Sequence, residues 1–179
     1  MLTGIRLVSE AAELAARRHL GQQRKGRGDE PYINHLAEVA NLLSSATNGE
    51  DAELVAAGWL HDTLEDTETA FDELSLRFGP RVAGLVEECT DDMKLSKRER
   101  RQKQIEDAPA KSPGAKLIKT ADKISNVRAR IFPSPTREQR EELADYVAWA
   151  AKVVASCRGV SAALDSLFDE AVANAQSVL

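Results

Sequence analysis

At 179 residues the chain is long enough for one domain with a sizeable core. Apolar residues make up 42% but aromatics only 4%, and the apolar set is mostly Ala, Leu and Val, which predicts an all-α domain. The net charge of −5 excludes an overall basic footprint for nucleic acid, and no run of 18 apolar residues or signal-like N-terminus argues for membrane or export. Residues 5–20 read as an Ala-rich helix closed by Gly21. A polar loop, 22–30, follows and gathers three cations, Arg24, Lys25 and Arg27. Taken alone, such a run reads as solvated loop. Pro31 suits the start of a helix from about Tyr32 to Ala46, on which His35 shares a face with Val39 and so points inward. Asn48-Gly49 ends that element.

The next helix begins near Asp51 and is expected to carry Trp59-Leu60-His61-Asp62-Thr63-Leu64-Glu65-Asp66-Thr67 on its last turns. Helical spacing then stacks Glu65 over His61 and Asp62, with Asp66 one turn beyond Asp62. A His-Asp pair alone fits an ordinary satisfied pair. One imidazole with three carboxylates at a helix end is harder to explain as folding chemistry, because the carboxylates repel and are costly to bury unpaired. A divalent cation would remove that cost.

Thr69 is a candidate N-cap for a helix over 70–78, which Gly79-Pro80 stops, and a short apolar helix covers 81–89. Cys89 and Cys157 fit no metal or redox spacing and are expected as reduced thiols of a cytoplasmic protein. The segment from Lys94 to Lys103 carries six cations, with Lys97 and Arg101 pointing one way and Arg98 elsewhere. After the turn Ser112-Pro113-Gly114, Lys119, Asp122 and Asn126 form a polar stripe on a helix over 115–128. Leu117, Ile118, Ile124 and Val127 spread widely around that helix, so both sides should pack and the stripe needs partners. A Thr136-x-x-Gln139 capping box opens a helix over 137–157, with Tyr146 and Trp149 on one face, and Gly159 closes it. The last helix, about 161–177, shows no chemistry. Without repeats or a linker, residues 1–179 read as a single domain of eight to ten helices.

Together the motifs resemble the HD-domain alarmone hydrolases, which remove the 3′-diphosphate of guanosine tetra- and pentaphosphate (ppGpp and pppGpp). The likeness runs from about Ala11 to Val154 and is greatest to the small single-domain members and their metazoan relatives. It rests on His19-x-x-Gln22-x-Arg24-Lys25, Pro31-Tyr32-Ile33-x-His35, Leu60-His61-Asp62-x-x-Glu65-Asp66-Thr67, Phe78-Gly79, Thr90-Asp91-Asp92 and Lys119-x-Ala121-Asp122-Lys123-x-x-Asn126-x-Arg128. The His-Asp pair alone marks only the wider phosphohydrolase superfamily. The chain departs from the pattern at Met93, where Lys is frequent, and after Asn126, where Val-Arg-Ala-Arg replaces the commoner Leu-Arg-Asp.

The resemblance implies one metal ion held by His35, His61, Asp62 and Asp122. Two neutral imidazoles and two carboxylates form a mixed set that Zn²⁺, Fe²⁺ or Mn²⁺ can occupy, and the family points to Mn²⁺. It further implies that Glu65 and Asp66 position and deprotonate the attacking water. Arg24 and Lys25 match its nucleotide-binding loop, and Lys97, Asn126 and Tyr146 match positions near the phosphates or ribose. The implied partner is a small nucleotide, with hydrolysis and no synthesis. Adenosine analogues of the alarmone, or the 2′-phosphate of NADPH, are alternative substrates. A non-catalytic nucleotide-binding module is the remaining reading, and it should have lost one of the six metal or catalytic residues that are all present here.

Overall fold

The structure, a computed structural model, describes residues 2–24 and 29–179. It is all-α: ten α-helices and one 3₁₀ turn, with one isolated bridge, Gln23 to Pro31, as the only β-type pairing among the described residues. The helices are α1 (Gly4–Arg18), α2 (Ile33–Ala46), α3 (Ala52–Leu60), α4 (Thr63–Asp66), α5 (Phe71–Phe78), α6 (Pro80–Cys89), α7 (Lys97–Asp107), α8 (Pro113–Ala129), α9 (Arg137–Ala155) and α10 (Ala162–Gln176). Two of them organise the rest. Helix α3 packs against α1, α2 and α6, and α8 packs against α2, α6, α9 and α10. Their shared core is built from fully buried aliphatics such as Leu36, Leu43, Leu54, Leu60, Ile118 and Ile124. At Gly58 an added Cβ would meet Leu43 Cδ1 at 2.5 Å, so the missing side chain is what lets α3 approach α2 closely.

Local signals account for most boundaries. The Thr136–Gln139 box opens α9 with both reciprocal bonds formed, and Ser96–Glu99 makes a second box at α7 that starts the helix after Lys94. Pro80 occupies the first turn of α6, and Gly79 before it takes φ +92°, open to glycine without strain. Eleven of the 17 residues of α8 are buried, which is why its polar stripe lies inside the protein.

Two expectations need correction. Thr69 does not cap α5: Ala70 holds that position, and Thr69 Oγ1 instead faces Thr67 Oγ1 at 2.8 Å. Nor does one helix run through His61 to Asp66. Helix α3 stops at Leu60, where the His61 ring offers Nδ1–H to the Gly58 carbonyl at 2.9 Å. Asp62 then leaves helical geometry (φ −99°, ψ 0°), and α4 is a separate single turn, with Asp66 N–H donating to Asp62 O. The jog turns His61 and Asp62 toward α2 and α8 while α4 carries Glu65 and Asp66 forward to a cleft.

Candidate active site

His35 lies in the first turn of α2, His61 at the end of α3, Asp62 in the jog and Asp122 midway along α8. Their polar atoms converge. His35 Nε2 is 3.5 Å from Asp62 Oδ2 and 3.4 Å from Asp122 Oδ1; His61 Nε2 is 3.1 Å and 3.9 Å from the same atoms. Both histidines are buried. His61 Nε2 has no hydrogen-bond partner, although Asp62 Oδ2 lies 3.1 Å away. A buried orphan nitrogen is costly, and a cation beside two carboxylates would satisfy it. With Nδ1–H given to Gly58, the neutral His61 ring presents an Nε2 lone pair to the same point. His35, His61 and Asp62 form the tight part of the cluster, with ligand atoms within 4.8 Å of one another. This donor set fits a divalent transition metal.

Neighbours aim the carboxylates. Tyr32 donates its hydroxyl to Asp62 Oδ2 at 2.6 Å. Asn126 Nδ2 donates to Asp122 Oδ1 at 2.5 Å, and Lys123 Nζ to Asp122 Oδ2 at 2.8 Å. Burial opposes charge on both Asp62 and Asp122, yet the imidazoles, and Lys123 beside Asp122, hold both carboxyls well below the usual range. Burial likewise opposes charge on His61, but Asp62 and Asp122 override it and push its imidazolium well above the ordinary value. Without a cation, a proton on His61 supplies the positive charge.

The two aspartates of the cluster, Asp62 and Asp122, line a cleft of about 590 Å³. Its lining mixes acidic residues, Glu65, Asp66 and Asp91, with the cations Lys97, Arg100, Arg101, Lys119 and Arg130, and Lys119 Nζ lies 4.0 Å from Asp91 Oδ1. Arg98 does not line it. Asn126 and Tyr146 both face the cleft; the Tyr146 ring lies edge-on to Trp149, with the Arg130 guanidinium 3.9 Å from its centroid. Glu65 Oε2 accepts Asp91 N–H at 2.9 Å, and Asp91 in turn accepts Gln104 Nε2 at 2.6 Å. The His19–Gln22 motif holds α4 in place: His19 Nδ1–H donates to Gln22 Oε1 at 2.7 Å, and the Gln22 amide donates to Asp66 O at 3.1 Å.

The structure thus brings nine of the expected residues into one site: His35, His61, Asp62, Asp122, Glu65, Asp66, Asn126, Lys97 and Tyr146. Lys25 lies outside the described residues. Arg24 lines the cleft, but its guanidinium is buried and Nη2 is committed to Ser125 O and Oγ at 2.8 and 2.7 Å. Sequence reasoning gave no role to Tyr32, Lys123 or Arg130. Tyr32 and Lys123 do stand inside the quoted motifs; nothing local marks Arg130.

Glu65 departs from ordinary carboxylate behaviour in the opposite direction to Asp62 and Asp122. Burial, with Asp91 and Asp62 adding to it, pushes its pKa up to about 7 from 4.5. Between those values the unfolded chain gives up a proton that the folded protein keeps, so metal-free stability falls as pH rises from 4.5 to 7 and levels off above. Discounted for partial exposure, the loss is about 1–3 kcal/mol. Metal-free Glu65→Gln is therefore expected to be more stable than the parent at pH 8 and equal to it near pH 4. Thermal unfolding at both pH values checks this, and a constant difference across pH would contradict it.

The HD domain family model matches residues 11–148. A guanosine-3′,5′-bis(diphosphate) 3′-pyrophosphohydrolase, MESH1, of Mus musculus is 45% identical over 165 residues, covering 90% of this chain and 92% of that protein. The Homo sapiens protein of the same name is 45% identical over 156 residues, 87% of each. Among solved structures, a metazoan orthologue of SpoT that hydrolyses ppGpp superposes with a TM-score of 0.87 at 37% identity, covering all of both chains. Family model, relatives and superposition coincide over the segment that carries the two-histidine, two-aspartate cluster, and the chain belongs to the HD domain family.

Proposed function

We propose that this protein is a metal-dependent hydrolase that removes the 3′-diphosphate of ppGpp and pppGpp, giving GDP or GTP and pyrophosphate, with Mn²⁺ as its metal. The observation that carries the reading is a two-histidine, two-aspartate cluster whose aspartates open onto a cleft lined with cations. The relatives named above, alike over nearly the whole chain, support the choice of substrate. Residues 1–179 act as one domain in this reading, supported by a core that ties α1 to α10.

A cation bound by His35, His61, Asp62 and Asp122 would offset charge on the transferring phosphoryl group and acidify a water. The protein's own groups do the rest. Glu65, its carboxylate held away from the ligands by Asp91 N–H, takes the proton of the water that attacks the phosphorus next to the ribose 3′-oxygen. Asp66 aligns that water or Glu65. The bond from phosphorus to the 3′-oxygen breaks, the leaving oxygen takes a proton from Glu65 or from bulk water, and a 3′-hydroxyl and pyrophosphate are freed. Lys97, Arg101, Lys119 and Arg130 neutralise phosphate charge that the carboxylates of the cleft would otherwise repel. Asn126 holds Asp122 while lining the cleft, and Tyr146 gives the nucleotide an aromatic face beside Arg130.

Lys97 is exposed and holds nucleotide in ground and transition states alike, so Lys97→Ala is expected to raise KM about tenfold with a smaller change in kcat. An unchanged KM would return it to ordinary surface. The reading as a whole is tested with Mn²⁺ on a panel of ppGpp, pppGpp, their adenosine analogues and NADPH, assaying pyrophosphate and orthophosphate separately. Pyrophosphate from the guanosine compounds is the expected result. Preferential orthophosphate release from NADPH would overturn it.

A further inference from the structure

Ser125 is fully buried on α8, and its hydroxyl is met by three side chains. Oγ lies 2.5 Å from Glu38 Oε2, 2.7 Å from Arg24 Nη2 and 2.9 Å from His35 Nδ1. A hydroxyl has one proton and two lone pairs to share among them. Arg24 can only donate, so it fills one lone pair. Glu38 as a carboxylate can only accept, so it takes the proton; hydrogen bonds from Ser125 and Arg128 outweigh burial and keep it ionised. One lone pair is left, facing His35 Nδ1, and only a donor satisfies it. The other group near Nδ1, Arg24 Nη2 at 3.4 Å, is also a donor, and its two protons already go to Ser125 Oγ and O. His35 therefore carries its proton on Nδ1 and turns an Nε2 lone pair toward Asp62 and Asp122.

We propose that Ser125 is a positioning residue that sets the tautomer of His35: the chain from Glu38 through Ser125 to His35, braced by Arg24, is what makes Nε2 the metal-binding atom. The proposal rests on the metal reading above. It also assigns the buried Arg24 a part in assembling the metal site, ahead of any contact with substrate. Partners that fix a ligating imidazole typically matter about 10–100-fold in metal affinity.

The test titrates metal-free protein with Mn²⁺ alone, following the free ion by electron paramagnetic resonance. Ser125→Ala is expected to bind about 10–100-fold more weakly. Glu38→Ala should weaken binding in the same direction but less, because the freed hydroxyl can turn its proton toward Nδ1. The double variant should bind no more weakly than Ser125→Ala, since both changes act through one hydroxyl. A purely structural role would lower thermal stability without moving the ring proton. Nitrogen NMR of the protein loaded with diamagnetic Zn²⁺ reads that proton directly. Wild type should show His35 ligated through Nε2 with a solvent-protected Nδ1–H, and Glu38→Ala a faster-exchanging one. Mn²⁺ affinity of Ser125→Ala within about twofold of wild type would overturn the proposal, as would ligation through Nδ1. Should Ser125→Ala fail to fold, Glu38→Ala and the wild-type spectrum decide by the same criteria. Wild-type protein that binds neither ion would instead defeat the metal reading itself.

Discussion

Glu65→Gln is expected to lower kcat by about 10²–10⁴-fold, the usual worth of general-base assistance, with little change in KM. Gln is nearly isosteric and keeps an acceptor for Asp91 N–H, but it takes no proton at neutral pH. The metal should stay, because Glu65 lies outside the cluster of His35, His61 and Asp62. A Mn²⁺ titration beside the kinetics separates a lost base from a weakened site. Asp66→Asn should show the same pattern, and the two losses should not add, since residues acting on one water behave as a unit. Near-normal kcat at saturating Mn²⁺ would show that no protein base is needed. Together with the stability gain expected at pH 8, the variant would trade folding free energy against turnover at a single carboxylate.

His61→Ala should abolish stoichiometric metal binding and with it turnover. The substitution removes the orphan Nε2 and leaves Asp62 and Asp122 facing each other with one histidine between them. Ala is a good helix former, so α3 should persist. In the wild type the raised imidazolium of His61 must lose its proton before Nε2 can ligate. Metal uptake at neutral pH is therefore expected to release a proton, and affinity should fall by up to about tenfold per pH unit on acidification. Calorimetry in buffers of different ionisation enthalpy measures that release. Co-purification of His61→Ala with one equivalent of metal would contradict the ligand assignment.

Much of this was legible in the sequence where one element carries the whole signal. The stripe of Lys119, Asp122 and Asn126 stood out because aliphatics flank it on both sides, and α8 is indeed buried around it. The Thr136–Gln139 box and Gly79-Pro80 located their helix ends for the same reason. What stayed hidden depends on segments distant in sequence. Helical periodicity ran α3 through Asp66, because nothing local shows that Asp62 is bound by Tyr32, 30 residues earlier. Taken alone, Arg24 looked like one more cation of a solvated loop, and the resemblance assigned it to nucleotide binding; its place is set by Ser125, 101 residues later. Lys123 drew no role from the sequence, yet it sits between Asp122 and the Trp149 ring, 4.5 Å from the centroid, a pairing that needs α9 in position.

In the proposed reaction one metal in this cluster drives hydrolysis at the ribose 3′-diphosphate. The most direct measurement takes a single metal-free preparation, adds Mn²⁺ in steps, and follows bound metal and ppGpp turnover together. Activity should rise in proportion to occupancy and saturate at one ion per chain, with GDP and pyrophosphate formed in equal amounts. Full activity in the metal-free protein, or full occupancy without pyrophosphate release, would contradict it.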